Sequence, residues 1–389
     1  MGMAWMKDDS PRVAVIGGGF IGPVHIEALH RIGIEVVGLL GSSTERARGV
    51  AERLGIRRVY IDLDDLLGDP AIGSVHIASP NAHHFDQARR SLESGRHVVC
   101  EKPLAVTSAE TTTLRALAEE RPRQAAAVNY NVRYYPLCFE MRDRVARGDL
   151  GRILSVNGSY TQDWLLLPED YNWRVEPDGG TNLRAVADIG THWMDLAQFV
   201  LARPIISVLA DLATFHPVRH RPVGPSETFT GPGRSGETRA VPITTEDHAA
   251  VLLRLEGGVR GVFHVSQVTA GRKNRLALEI AGTEGSMSWD SESPNRIWIG
   301  RRNAPNSLLE RDPALLSPSA RDVSHYPGGH AEGFADTFKA LDLAVYGWIA
   351  SGGVEPPGYP TFADGDREAR LCEAVAQSAT KGQWVDVSP

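Results

Sequence analysis

Three side chains suited to proton transfer lie in two short motifs. Lys102 is the central residue of the tripeptide EKP at 101–103, and Asp188 and His192 begin and end the segment DIGTH at 188–192. An imidazole titrates near neutral pH, so His192 suits a general base that takes a proton from a hydroxyl group. A lysine ammonium can polarise a carbonyl oxygen or, when desolvated, join a proton relay. The motifs therefore predict acid–base catalysis by Lys102, Asp188 and His192.

The spacing of Asp188 and His192 places both on one face of a helix. Side chains four residues apart on a helix have Cβ atoms about 6 Å apart, so one ligand can touch both. The apolar residues of the segment form an adjacent stripe, namely Ile189, Trp193, Leu196 and Val200. This segregation favours a cleft in which Asp188 binds a substrate hydroxyl or tunes the imidazole. The alternative is a polar pair satisfied within a helix wall.

A glycine-rich turn near the start of the chain predicts a dinucleotide site. Gly17, Gly19 and Gly22 form a GxGxxG pattern between a β-branched run and a helix-like stretch. The first glycine permits a tight turn, the second lets backbone approach a pyrophosphate, and the third lets helix and strand pack closely. The positive end of the helix then faces the phosphates. Phe20 and Ile21, within the turn, are expected to contact the same cofactor.

The residues after the second predicted strand favour NADP over NAD. An NAD site usually has Asp or Glu there to bind the ribose 2′-hydroxyl, whereas this chain has Ser42 and Ser43, followed by Arg46. These hydroxyl groups and the guanidinium suit a 2′-phosphate. The alternative is that Arg46 only occupies the exposed face of the next helix.

The pattern of apolar runs predicts an α/β fold of two domains. Up to Val128, short β-branched runs alternate with helix-like stretches, which is typical of a parallel sheet with crossover helices. The predicted strands are 12–16, 35–40, 74–77, 97–100 and 125–128, and the predicted helices are 23–31, 45–54, 83–94 and 108–121. Later strand-like runs are longer and follow one another, at 153–163, 205–215, 249–255, 261–268, 275–281 and 296–299. We expect an N-terminal Rossmann domain with a doubly wound parallel sheet (11–128), and a C-terminal α+β domain with a large, mostly antiparallel open sheet (129–389).

Ligands bind such parallel sheets at the carboxyl ends of the strands. Ser79, Asn81 and His84 follow the third predicted strand, and Glu101 and Lys102 follow the fourth. We therefore expect these five residues to contact the dinucleotide, with Lys102 also touching the substrate.

The ordered set of motifs resembles the Gfo/Idh/MocA oxidoreductase family. The glycine turn, the ASPNAHH segment at 78–84, EKP and DxGxH occur in the family's order. The resemblance implies transfer of a hydride between a nicotinamide and a secondary alcohol or ketone of a sugar, cyclitol or related polyol. It also implies that Lys102 contacts the reacting hydroxyl, and that the chain forms a homodimer or homotetramer through the C-terminal sheet. One departure is that the glycine pair at 179–180 precedes Asp188 by seven intervening residues.

Five further residues complete the predicted site, and the resemblance supplies four of them. Trp173 and Arg174 match a pair that some members of the family use near the cofactor phosphate and nicotinamide. Asn131 and Arg133 follow the last Rossmann strand, where the family's chain passes beside the substrate. Arg184 lies in the stretch where the chain departs from the family's pattern, and it is a further candidate to face a hydroxylated or anionic substrate; the alternative is a surface arginine.

Composition excludes several other classes of function. The net charge of -7 provides no basic field for nucleic acid. The three cysteines have no metal-ligand or disulfide spacing, and we predict no metal site. No apolar run is long enough to span a membrane and no signal peptide is apparent, so we expect a cytoplasmic protein. The long stretches 217–245 and 304–329 suit lids, subunit arms or partly disordered loops.

Two other functions remain open at this stage. One is an NAD-retaining glycosidase that oxidises its substrate transiently at C3. The other is a non-catalytic nucleotide-sensing protein of the same fold, which the joint presence of Lys102, Asp188 and His192 disfavours.

Overall fold

The N-terminal sheet is built from strands that are apolar on both faces. The first strand, β1 (Arg12–Ile16), has four buried side chains in succession, as expected for a parallel strand covered by helices on both sides.

The computed structural model of the protein describes residues 11–176, 183–223 and 237–388. Among these residues no helix is both long and apolar enough to cross a membrane.

Six parallel strands form the first sheet, in the order β3-β2-β1-β4-β5-β6. The order changes direction between β1 and β4, which is where such sheets bind dinucleotides. The further elements of this part are α1 (Ile21–Arg31), β2 (Val36–Leu40), α2 (Thr44–Leu54), β3 (Arg58–Val59), α3 (Leu63–Leu67), β4 (Ile72–Ile77), α4 (His84–Glu93), β5 (His97–Cys100), α5 (Ser108–Glu119) and β6 (Ala126–Val128).

The remaining chain forms mainly strands. These elements are α6 (Pro136–Arg147), β7 (Ile153–Thr161), α7 (Thr191–Leu201), β8 (Ile205–Ala213), β9 (Val218–Pro222), β10 (Thr238–Pro242), β11 (His248–Leu255), β12 (Arg260–Ser266), β13 (Arg275–Gly282), β14 (Ser286–Asp290), β15 (Arg296–Gly300), β16 (Ser307–Glu310), α8 (Pro318–Asp322), α9 (Phe334–Ala350), α10 (Phe362–Lys381) and β17 (Val385–Asp386). Nine of the strands form one sheet in the order β16-β15-β14-β13-β7-β12-β11-β8-β17.

One face of the nine-stranded sheet is covered by helix α7. Trp193 of α7 stacks on Phe263 of β12 with ring centroids 4.6 Å apart, and its indole N–H donates to the carbonyl oxygen of Ala277 in β13. The pairs within the sheet are antiparallel except for β7 and β12. The predicted fold class, a parallel Rossmann sheet and a mostly antiparallel second sheet, is confirmed.

The chain divides into two compact units that differ from the predicted domains. Unit 1 contains the chain up to Tyr134 together with Phe334–Ala369, and unit 2 contains Tyr135–Gly333 and Arg370–Pro389. Helix α9 therefore returns to the Rossmann part, where it packs against α1. The sequence pattern did not indicate that this helix packs against α1 and the 3₁₀ turn at 131–134.

The two long stretches predicted as connections contain secondary structure. Strands β9 and β10 pair as an antiparallel hairpin within 217–245, and β16 and α8 lie within 304–329. The centre of the first stretch and the glycine pair at 179–180 lie outside the described residues.

Candidate functional site

The glycine turn of unit 1 leaves room for a ligand at one of its three glycines. Gly17 has a φ of +111°, and a Cβ there would lie 2.3 Å from the carbonyl oxygen of Ala78. A Cβ on Gly22 would lie 1.8 Å from the carbonyl oxygen of Gly17. At Gly19 no atom lies within 4 Å of the Cβ position. Two glycines are therefore required by the chain's own packing, whereas Gly19 leaves open space next to the start of α1, where a pyrophosphate fits.

The residues predicted to bind the cofactor's 2′ position lie at the start of α2. Ser43 caps this helix, since its hydroxyl accepts the backbone N–H of Arg46. Ser42 and Arg46 are exposed. Within the described part of the chain, the Arg46 side chain forms no ion pair, so its guanidinium is available to an anion.

The turn after β4 is fixed by a buried histidine. His84 Nδ1 lies 2.7 Å from the carbonyl oxygen of Pro103, and its Nε2 lies 2.9 Å from that of Ser79. Burial lowers the pKa of His84, although both carbonyl groups favour the protonated form. The Ser79 hydroxyl donates to Gln87, and Asn81 begins a 3₁₀ turn. Both ring nitrogens of His84 are thus engaged by backbone, and the side chain joins the turn after β4 to the turn after β5.

Glu101 positions the backbone of Lys102 at the end of β5. One carboxylate oxygen accepts the N–H of Lys102 at 3.1 Å, and the other contacts His25 Nε2 at 3.2 Å and accepts the side-chain amide of Asn129. Burial alone would raise the pKa of Glu101, but the hydrogen bond and charge of His25, with the charge of Lys102, lower it to about 2. The carboxylate therefore stays ionised and keeps the start of the EKP turn in place.

Two residues predicted to bind substrate have partners inside unit 1. The Asn131 side-chain amide donates to the Thr337 hydroxyl at 2.7 Å. The Arg133 guanidinium donates to Asp364 at 2.7 Å, and this pair lowers the pKa of Asp364 against the effect of burial. Both partners belong to the segment that returns after residue 333. A role of Asn131 and Arg133 in substrate binding stays a prediction.

In unit 2, Asp188 lies in a single π-helical turn, Val186–Gly190, that leads into α7. Such turns are frequent at functional sites. Gln267 donates its side-chain amide to Asp188 Oδ2 at 2.9 Å, and Arg174 Nε lies 3.6 Å from Asp188 Oδ1. His192 lies in the first turn of α7, with its ring centroid 6.1 Å from that of Tyr160. The predicted helix is present, but it begins with a wider turn than the expected α-helical spacing.

Trp173 and Arg174 belong to the same group of unit 2 residues as Asp188. The Arg174 guanidinium lies over the rings of Trp173 and Trp164, 4.5 Å and 5.8 Å from their centroids. Its backbone N–H is accepted by the Asn172 side chain, which caps the short 3₁₀ turn Trp173–Val175. The aromatic contacts and the Asp188 carboxylate together orient Arg174.

Arg184 requires a correction, since the structure places it in the core of unit 2. Its guanidinium forms an ion pair with Asp247 and donates to the backbone carbonyl of Glu246. Asp247 also pairs with the buried Arg219 at 2.7 Å. Glu246 accepts the N–H groups of Arg184 and Val186 at the start of the π turn, and burial raises its pKa to about 7. Arg184 thus supports the turn that carries Asp188 and has no exposed donor for a substrate.

The residues that contact and position the predicted site residues were not identified from the sequence. Gln267 and His25 lie 79 and 76 positions from the carboxylates that they contact, so no local spacing relates them. His25 lies three residues after Gly22. Its position on the buried face of α1 is the sequence signal that could have identified it.

Comparisons with known proteins show which family the chain is similar to. Residues 11–130 match the oxidoreductase family with an NAD-binding Rossmann fold, and residues 139–288 match the GFO/IDH/MocA C-terminal domain. Levoglucosan dehydrogenase of Pseudarthrobacter phenanthrenivorans is 30% identical over 96% of this chain and 97% of its own length. A structure of levoglucosan dehydrogenase with NADH and L-sorbose is 28% identical, with a TM-score of 0.86 over 97% of this chain and 99% of that one. An inositol dehydrogenase homologue of Azotobacter vinelandii with NADH and myo-inositol is 27% identical, with a TM-score of 0.84 over 97% and 98%.

Substitution of two glycines by alanine is expected to separate cofactor binding from folding. Gly19→Ala has space for its methyl group, so the unfolding temperature should stay close to that of the wild type while the Kd for the dinucleotide rises at least tenfold, about 1.4 kcal/mol. Gly22→Ala meets the Gly17 carbonyl and should destabilise the fold by roughly 1–3 kcal/mol. Thermal unfolding and fluorescence titration with NADPH measure the two effects. Unchanged cofactor affinity in Gly19→Ala would contradict the assignment of the turn.

Proposed function

The chain belongs to the GFO/IDH/MocA family of oxidoreductases, and from this premise we propose that it interconverts a secondary alcohol and a ketone on a sugar or cyclitol. The chain is an NAD(P)-dependent dehydrogenase or reductase. The observation that carries the proposal within this chain is the sheet edge of unit 1. There the open glycine turn and Lys102 both follow parallel strands, and Glu101 orders the lysine backbone.

The cofactor fits the residues of unit 1. The space at Gly19 and the positive end of α1 suit the pyrophosphate, and Ser79, Asn81, Glu101 and Lys102 lie at the same edge of the sheet. When bound, the nicotinamide ring exchanges a hydride with the substrate carbon. The protein must supply orientation and a path for the hydroxyl proton.

We assign the proton chemistry to Lys102 and His192. In the direction of oxidation, the imidazole of His192 takes the hydroxyl proton as the carbon loses its hydride, and the ammonium of Lys102 stabilises the charge on the oxygen. In the direction of reduction, the same groups polarise the ketone and return the proton. The carboxylate of Asp188, held by Gln267 and Arg174, binds a neighbouring hydroxyl or orients the imidazole.

A polyhydroxylated substrate suits the polar residues proposed for this site. A carboxylate binds hydroxyl groups, and a tryptophan face packs on sugar C–H groups; Asp188 and Trp173 supply these. The named relatives act on a sugar anhydride or are bound to an inositol or a ketose, which supports the same substrate class. Neither the glycosidase nor the nucleotide-sensing protein is favoured by these relatives.

We propose NADP as the preferred cofactor. The end of β2 is followed by Gly41, Ser42 and Ser43, with no carboxylate to bind a ribose 2′-hydroxyl. The exposed guanidinium of Arg46 follows in the first turn of α2, where a 2′-phosphate would receive a charge-assisted hydrogen bond.

We also propose that two copies of the chain pair through the open face of the nine-stranded sheet. Cross-strand pairing puts one row of side chains on this face, in the order Leu252, Val262, Asn157, Glu279, Ser288, Trp298 and Leu308. The four apolar members are between 39% and 55% exposed in the single chain. Leu252 and Val262 form one exposed apolar pair on this face, and Trp298 and Leu308 form another, with Asn157, Glu279 and Ser288 between them. Exposed apolar patches rimmed by polar residues mark association surfaces.

The proposed roles of Lys102 and His192 in proton transfer predict that their substitutions have non-additive effects on kcat. Lys102→Ala and His192→Gln should each lower kcat for the preferred polyol by roughly 10²–10⁴-fold, and in His192→Gln the Kd for NADPH should change little. If both groups serve one step, the double variant should lose much less than the product of the two single losses. Absorbance at 340 nm, measured against a panel of sugars, inositols and glycosides, gives the rates. Lys273→Ala removes an exposed lysine and is the control; full activity in Lys102→Ala would refute the assignment.

The cofactor preference depends on a single arginine. Arg46→Ala should weaken NADPH binding by roughly 10–100-fold, the value of a charge-assisted hydrogen bond of about 1.5–3 kcal/mol, and leave NADH binding almost unchanged. Arg48→Ala, an exposed arginine on the same helix, should alter neither. Equal losses of affinity for NADPH and NADH would show that Arg46 does not bind the 2′-phosphate.

A charged residue in place of Val262 tests the proposed association surface. Val262→Lys should shift the protein to monomer in light scattering coupled to size-exclusion chromatography, because a lysine would be desolvated between the copies. Val354→Lys alters a valine that is 80% exposed in unit 1 and should keep the wild-type assembly. A Val262→Lys protein of unchanged mass would exclude this face as the interface.

A further inference from the structure

A buried cluster of metal-ligand residues lies in unit 1, outside the proposed reaction site. His25 of α1, His76 of β4 and Asp342 of α9 each offer one ligand atom, and these three atoms lie within 4.8 Å of one another. The three side chains are at most 1% exposed. Three rigid elements therefore direct two imidazoles and one carboxylate to one point in the interior.

The two imidazoles have the hydrogen-bond pattern of zinc ligands. Their Nδ1 atoms face each other at 3.0 Å. The outward nitrogen of His25 contacts Glu101 at 3.2 Å, and that of His76 contacts the Tyr346 hydroxyl at 2.9 Å, which in turn contacts Ser74 at 3.1 Å. Metal-bound histidines characteristically donate their second ring N–H to a carboxylate or another acceptor. Both rings thus have their outer nitrogens engaged, and their inner nitrogens face each other.

The carboxylate of Asp342 lacks the partner that burial demands. Its Oδ2 is fully buried and accepts no hydrogen bond from the described residues. An isolated carboxylate is costly to remove from water. A cation between Asp342 and the two Nδ1 atoms would supply the missing partner and replace the single proton that the facing nitrogens share.

We propose that His25, His76 and Asp342 bind one structural zinc ion through two Nδ1 atoms and a carboxylate oxygen. Nitrogen and oxygen donors of this kind suit zinc, whereas magnesium and calcium prefer oxygen ligands alone. Zn–N bonds of 2.0–2.1 Å at a tetrahedral angle set the two nitrogens about 3.3 Å apart, a few tenths of an ångström wider than the present separation. A water molecule completes the four-coordinate shell.

The site would join parts of unit 1 that are distant in sequence. His25 lies on the helix that follows the glycine turn, and Asp342 comes from the segment that returns to unit 1 after residue 333. His25 also contacts Glu101, so the ion would stiffen the residue that precedes Lys102. The proposal concerns stability and metal content, and it holds or fails separately from the substrate and the cofactor.

Metal analysis of the wild-type protein is the first test. Protein produced in zinc-supplemented medium and freed of any affinity tag should contain about one zinc per chain by mass spectrometry. Removal by a strong chelator should lower the unfolding temperature, and one equivalent of zinc should restore it by about 5 °C or more. Less than a tenth of an equivalent of zinc, with no response of unfolding to added zinc, would overturn the proposal.

Isosteric variants then distinguish a metal ligand from a neutral carboxyl group. Asp342→Asn keeps the size of the side chain, and it should abolish both the bound zinc and the zinc-dependent shift. Tyr346→Phe removes the acceptor behind His76 and should weaken zinc affinity by roughly 10–100-fold. His264→Gln breaks the stacked pair of His248 and His264 on the sheet of unit 2 and should change neither quantity. Zinc binding that survives in Asp342→Asn, or that is lost in His264→Gln, would place the metal elsewhere.

Discussion

The buried carboxylate of Glu101 is the constraint on which the reactive edge of unit 1 depends. It contacts His25 from the helix after the glycine turn, Asn129 from the end of the last Rossmann strand and the N–H of Lys102. An ionised group with hydrogen-bond donors on both oxygens is stable in the interior, and its removal would leave those donors unsatisfied. The cofactor turn and the lysine are therefore held by one group that itself need not touch substrate.

In unit 2, buried carboxylates likewise position the polar residues. Glu246 accepts two N–H groups at the start of the π turn, and Asp247 forms ion pairs with both Arg184 and Arg219 beside it. Burying such a network is costly, because one carboxylate is shared by two guanidinium groups. The network holds the turn that carries Asp188 in one position. Hydride transfer needs such rigid positioning, since the reacting atoms must meet in one orientation.

The fold class was predictable because periodicity and glycine spacing are local properties. The predicted strands of unit 1 differ from the observed ones by at most two residues at either end, as β4 shows by beginning at Ile72 where the pattern indicates residue 74. The short strands β3 and β17 were missed, because two residues carry no periodic signal. The return of α9 to unit 1 was also missed, since an amphipathic helix does not specify the surface that it covers.

By itself, the sequence determined the family and the dinucleotide turn, and it predicted the roles of Lys102, Asp188 and His192, since each belongs to a motif with fixed local spacing. Only the tertiary structure decided which partners these residues have. It moved Arg184 into the core, and it brought His76 and Asp342 together across 266 positions. The reason is physical: burial, ion pairing and the meeting of ligand atoms depend on distances that packing sets, and spacing along the chain does not encode them.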